Sequence, residues 1–94
     1  METVIATTKS GAVYSFTGGQ VHIKPATPGI TQFFSVWDFK VGTIKGGSHK
    51  QAPWFKDSPE WEISDYPQVG YRMYVNGRDE WRISSAVVSV DIQP

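Results

Sequence analysis

Apolar and polar side chains alternate with a period of two along most of this chain, the signature of strands with one face turned to a core. Nowhere do apolar residues recur at i, i+3, i+4 and i+7 over eleven residues without a Gly or Pro intruding, so no helix is predicted. The first run, Thr3–Thr8, is β-branched and ends at Lys9-Ser10-Gly11, a polar turn whose Gly tolerates positive φ. Residues 12–17 return, and Gly18-Gly19 turns the chain into Gln20–Lys24, which together predict a three-stranded meander. Pro25 and Pro28 then end the sheet, because proline donates no ladder hydrogen bond.

A fourth strand is predicted over residues 33–41, with the odd positions Phe33, Trp37, Phe39 and Val41 as the core face. Residues 42–59 follow no regular pattern, and a connection of that length exceeds the usual ~4–6 residues. A short strand over 60–64 carries Trp61 and Ile63 on one side. Residues 71–75 and 80–83 flank Asn76-Gly77, a strong hairpin signal. Ser84-Ser85 forms one tight turn, and residues 86–92 close the fold with Val88, Val90 and Ile92 facing in. The expectation is a five- to eight-stranded all-β structure, a small barrel or rolled antiparallel sheet, with the strand order that ends SH3-like barrels. Its predicted core is Tyr14, Phe16, Val21, Ile23, Phe33, Trp37, Phe39, Trp61, Met73, Trp81, Ile83, Val88 and Val90.

Length makes this one domain spanning residues 1–94, since 94 residues support a single hydrophobic core. A domain this small needs large core side chains, and four Trp, four Tyr and five Phe supply them without disulfide or metal. The chain has no cysteine, which excludes thiolate zinc sites and thiol nucleophiles and points to a reducing compartment. With no basic start, no apolar leader and no run approaching ~18 apolar residues, a cytoplasmic protein with no membrane partner is predicted. Net charge is zero but unevenly spread: five lysines face two carboxylates in residues 1–50, and four cations face seven carboxylates in residues 51–94.

Candidate chemistry is sparse. His22 and His49 are the only histidines, and neither has the neighbours of a nucleophile–base–orienter set, so no enzyme is predicted. No metal-ligand spacing appears, and no cofactor is expected. Gly42 to Ser48 lacks the lysine and following helix of a phosphate loop, although its free amides, with Lys45, His49 and Lys50, suit a small anionic ligand. Lys40, Lys45, Lys50 and Lys56 near Trp37, Trp54 and Phe55 have the ingredients of nucleic-acid binding, weakened by the zero net charge. The most conspicuous stretch is residues 52–61, with three large aromatics in eight residues: Trp54 and Phe55 between Pro53 and Pro59, and Trp61 just beyond. Adjacent large aromatics in an over-long loop with local lysine resemble a binding hot spot with a charged rim. The alternative is that Trp54 and Phe55 fold back as a lid on the core. The predicted contact residues are Lys45, Lys50, Trp54, Phe55, Lys56 and Trp61.

Residues 7–14, Thr-Thr-Lys-Ser-Gly-Ala-Val-Tyr, and residues 81–90, Trp-Arg-Ile-Ser-Ser-Ala-Val-Val-Ser-Val, resemble segments of small uncharacterised all-β proteins carried by viruses of actinomycete bacteria. The resemblance implies a setting in host cytoplasm and a non-enzymatic accessory protein that engages a host protein, for instance as an inhibitor of host defence. A nucleotide-sequestering protein and a nucleic-acid-binding small barrel stand as alternatives. Unprotected sheet edges leave monomer and homodimer both open.

Overall fold

A computed structural model describes residues 2–54 and 58–94. Among them there are nine strands and no helix: β1 (Thr3–Thr8), β2 (Val13–Thr17), β3 (Gln20–Lys24), β4 (Gln32–Ser35), β5 (Asp38–Gly42), β6 (Trp61–Ile63), β7 (Met73–Asn76), β8 (Trp81–Ile83) and β9 (Val87–Gln93). They form two antiparallel sheets, ordered β4-β3-β2-β1-β9 and β6-β5-β7-β8. The result is a rolled, all-β structure that stops short of a closed barrel; among the described residues one isolated bridge pairs Val69 with Val87. No helix among the described residues is long and apolar enough to cross a membrane.

The meander forms where the pattern places it. Gly18 and Gly19 have φ of 57° and 78° between the paired residues Thr17 and Gln20, a two-residue turn whose left-handed backbone matches strand twist. Gly11, at φ 97°, closes the β1–β2 turn as Thr8 N–H donates to the Ala12 carbonyl at 2.9 Å. The inner phase of this sheet, Ala6, Tyr14, Val21 and Ile23, meets Met73 and Val75 of the second sheet and Val87, forming the core cluster.

Three expectations need correction. The predicted strand 33–41 is two strands in different sheets, which is why there are nine rather than eight. Phe34 and Val36 pack on the core, then Phe39, while Phe33 and Trp37 are 63% and 68% exposed. The corner between the sheets takes one residue out of alternation, held by Val36 N–H on the Gly19 carbonyl (2.8 Å) and Trp37 N–H on the Asn76 carbonyl (2.7 Å). Alternation counted through it therefore selects the wrong face before the bend.

Ile92 pairs with buried Val4 on the inner phase, as expected, yet is 50% exposed because β9 is the edge strand, whereas Val88, at 53% exposed, does not face in. The β1–β9 register shifts between Thr7 and Thr8, pairing Thr8 with Val87 and Thr7 with Ser89, so Val88 is the unpaired residue of a bulge and Val87 takes the core position. Trp81, 49% exposed, lies opposite Asn76; because Met73 and Val75 fill the inner phase of β7, Trp81 belongs to the outer face. The hairpin itself is present, but Gly77 is not at positive φ. Its N–H donates to the Glu80 carbonyl at 2.7 Å across a four-residue turn, and its missing side chain lets Phe34 and Ser35 approach.

Candidate functional site: a tryptophan-bearing outer face

The outer phase of the second sheet carries Lys40, Gly42, Trp61, Tyr74, Trp81 and Ile83, fixed by the pairs Gly42–Trp61, Lys40–Tyr74 and Tyr74–Ile83. Sheet faces with this much apolar surface need cover. The long connection between β5 and β6 supplies it, folding across the face instead of projecting into solvent.

Specific bonds hold it down. Lys40 Nζ donates to the Pro53 carbonyl at 2.8 Å, and Trp61 Nε1 donates to the Gln51 carbonyl at 2.9 Å. Glu60 Oε2 accepts the backbone N–H groups of Lys50 and Gln51 at 2.9 and 2.5 Å, while Thr43 N–H donates to the Glu60 carbonyl at 2.8 Å. The His49 ring stacks on Trp61 with centroids 4.4 Å apart, in space that exists because residue 42 is glycine. Both His49 ring nitrogens are buried and find no partner among the described residues. Pro53, Trp61 and Tyr74 are buried, so a second, smaller apolar layer lies outside the sheet. Burial, followed by the charge of Asp38, raises the Tyr74 phenol above its ordinary pKa of 10.0.

On top of this layer sits a pair of tryptophans. Trp54 and Trp81 meet edge to face with centroids 5.4 Å apart, and Trp54 also lies 6.5 Å from Tyr74. Trp54 is 57% exposed and Trp81 49%. Two large rings are therefore fixed by neighbours yet open on one side, the state expected of contact residues with little rotamer freedom left to lose.

The predicted contact residues divide accordingly. Trp54 is exposed on this face, and Lys45 and Lys50 are exposed on the same connection, Lys45 with its stem across Gly70. Trp61 is buried and acts as the floor beneath His49 and Tyr74, offering no contact surface. Phe55 and Lys56 lie outside the described residues. Trp81, assigned to the core from sequence, is the residue that sequence reasoning missed. The signal was present in the hairpin: the partner of Trp81 is polar Asn76, one step out of phase with Met73 and Val75.

The other constellations are less organised. In the glycine-rich segment the N–H groups of Gly46 and Gly47 donate to the Gly70 and Ile44 carbonyls and those of Lys50 and Gln51 to the Glu60 carboxylate, so these four donors are already engaged within the protein. His22 is exposed and packs against Phe33 at 6.1 Å. No group of three or more His, Asp or Glu among the described residues is arranged to hold a metal ion. The cleft between the sheets at Val4, Phe16, Val36 and Phe39 has a volume of about 240 Å³, smaller than most small-molecule sites. Comparison with protein-family models, with curated proteins and with solved structures returned no match.

Proposed function

We propose that this protein is a non-enzymatic binding module that engages another protein through the loop-covered outer face of its second sheet. The observation that carries this reading is the Trp54–Trp81 pair, half exposed and held edge to face above a buried base. Tryptophan leads the side chains that dominate binding energy, and anchors work best when pre-ordered. Lys45 and Lys50, exposed on the same connection, together with Lys56, set approach and orientation through their charge. That the partner is a host protein, with interference in host defence as one such role, is part of the same proposal and rests on the resemblance of residues 7–14 and 81–90 to segments of viral proteins.

Capture from a host lysate by the whole chain, read by mass spectrometry beside Trp54→Ala and Trp81→Ala, tests this. A protein retained by the unmodified chain should be lost from both variants, each substitution costing about 2 kcal/mol, or roughly 30-fold in affinity. Circular dichroism of the variants should be unchanged, since both rings lie outside the main core. Equal capture by all three proteins would defeat the reading. A salt-sensitive, Trp54-dependent shift of single-stranded nucleic acid would replace it with a stacking surface.

A further inference from the structure

The four sheet edges are unequal. Strands β6 and β8 have three residues each and β4 has four, lengths that blunt pairing, whereas β9 has seven. Its first residue is occupied: Val87 N–H donates to the Tyr71 carbonyl at 2.9 Å and the Val87 carbonyl accepts from Gly70 N–H at 2.8 Å. Beyond it, no described residue pairs with the outer edge of residues 88–93. This stretch, Val-Ser-Val-Asp-Ile-Gln, contains no Lys, Pro or Gly to discourage pairing; its one charge is Asp91, and its bulge lies at Val88, at one end. Val88 and Ile92 are about half exposed along it, and Val69, bridged to Val87 and 58% exposed, extends the apolar strip.

We propose that β9 is a homodimer interface, pairing antiparallel with β9 of a second copy so that two five-stranded sheets become one of ten strands. An edge strand is self-complementary under a two-fold axis: every second residue presents both its N–H and its carbonyl outward, and an identical strand run in reverse answers them. Outward-directed residues must oppose outward-directed residues, so the axis must pass through a residue and not between two. Within residues 88–93, centring on Val90 or on Asp91 lets five residues per copy pair. The Asp91 register sets two carboxylates directly opposite one another, which is destabilising. The Val90 register sets Asp91 against Ser89 and brings each Ile92 alongside the bulged Val88, shielding the exposed apolar edge from water. The interface uses β9 alone and is independent of the tryptophan face.

Sedimentation equilibrium and single-cysteine cross-linking test it together. The 94-residue chain should run at twice its 10.5 kDa at micromolar concentration, and Val88→Lys/Ile92→Lys should return it to 10.5 kDa with an unchanged circular dichroism spectrum. Because the chain has no cysteine, Val90→Cys introduces a single thiol that should form a disulfide-linked dimer on mild oxidation. Ser89→Cys should not, because it lies diagonally from its own copy, roughly 7–8 Å away. A monomer throughout, a dimer that survives the double lysine variant, or cross-linking at position 89 instead of 90 would each overturn the proposal.

Discussion

Gly42→Ala isolates the contact that fastens the β5–β6 connection to the sheet. Gly42 lies in β5 opposite Trp61, and a Cβ built on it would penetrate the His49 ring at Nε2 and Cε1. The imidazole must therefore leave its stack on Trp61. An aromatic contact of that kind contributes about 0.5–1.5 kcal/mol, and overpacking of a filled site costs about 1–3 kcal/mol. Against this, replacing a strand glycine by alanine returns about 0.5–1 kcal/mol of backbone entropy. The net expectation is destabilisation by about 1–3 kcal/mol. In a His49→Ala background the space is empty, and the same substitution should stabilise by about 0.5–1 kcal/mol, so its sign reverses. Urea unfolding followed by circular dichroism on the four proteins of this cycle measures both effects. Equal cost of Gly42→Ala in the two backgrounds would show that His49 does not occupy the glycine cradle. A loosened connection also carries Trp54 away from Trp81, so Gly42→Ala should weaken partner capture while leaving both tryptophans in the chain.

Gly77→Ala places a Cβ 2.6 Å from Phe34 Cδ2 and 2.8 Å from the Ser35 carbonyl oxygen, and the latter, being backbone, cannot swing aside. A loss of about 1–3 kcal/mol is expected, lowering Tm by at least ~4 °C in a thermal melt; an unchanged Tm would refute the close approach of the hairpin to the β4–β5 corner. Burial raises the Tyr14 phenol above its ordinary 10.0, partly offset by Arg82. Because the folded-state pKa exceeds the unfolded one, this contribution to stability is complete below about pH 10 and disappears as pH rises through the folded value. Tyr14→Phe should therefore lose less stability than the unmodified chain between about pH 8 and pH 11 in urea titrations, with Tyr74 sustaining part of the decline in both; identical losses would rule out ionisation of Tyr14 as a cause.

Much of the architecture was legible because it is local. The Gly18-Gly19 turn follows from residues that permit left-handed backbone angles, and the strands of the meander and the existence of the 73–83 hairpin and of the final strand follow from period-two patterning, although the Asn76-Gly77 turn itself is formed without a positive φ. Tyr14, Val21, Ile23, Trp61 and Met73 were placed in the buried set by the same pattern, and Trp54 was singled out by composition. What the pattern could not contain is the identity of the neighbour across each face. Alternation divides a strand into two sides without saying which side meets a sheet, a loop or water. Phe33 and Phe34 are chemically alike, and only the corner at Val36-Trp37 makes Phe34 internal. The bulge at Val88 depends on the register of β9 against β1, some eighty residues distant in sequence. Trp61 and Trp81 share one face of one sheet, yet the first is buried and the second half exposed: the described part of the β5–β6 connection sets His49 and Gln51 on Trp61, whereas Trp81 meets Trp54, itself exposed. That difference is long-range packing, a property of how the connection closes over the sheet, and it converts two similar tryptophans into a floor and a contact surface.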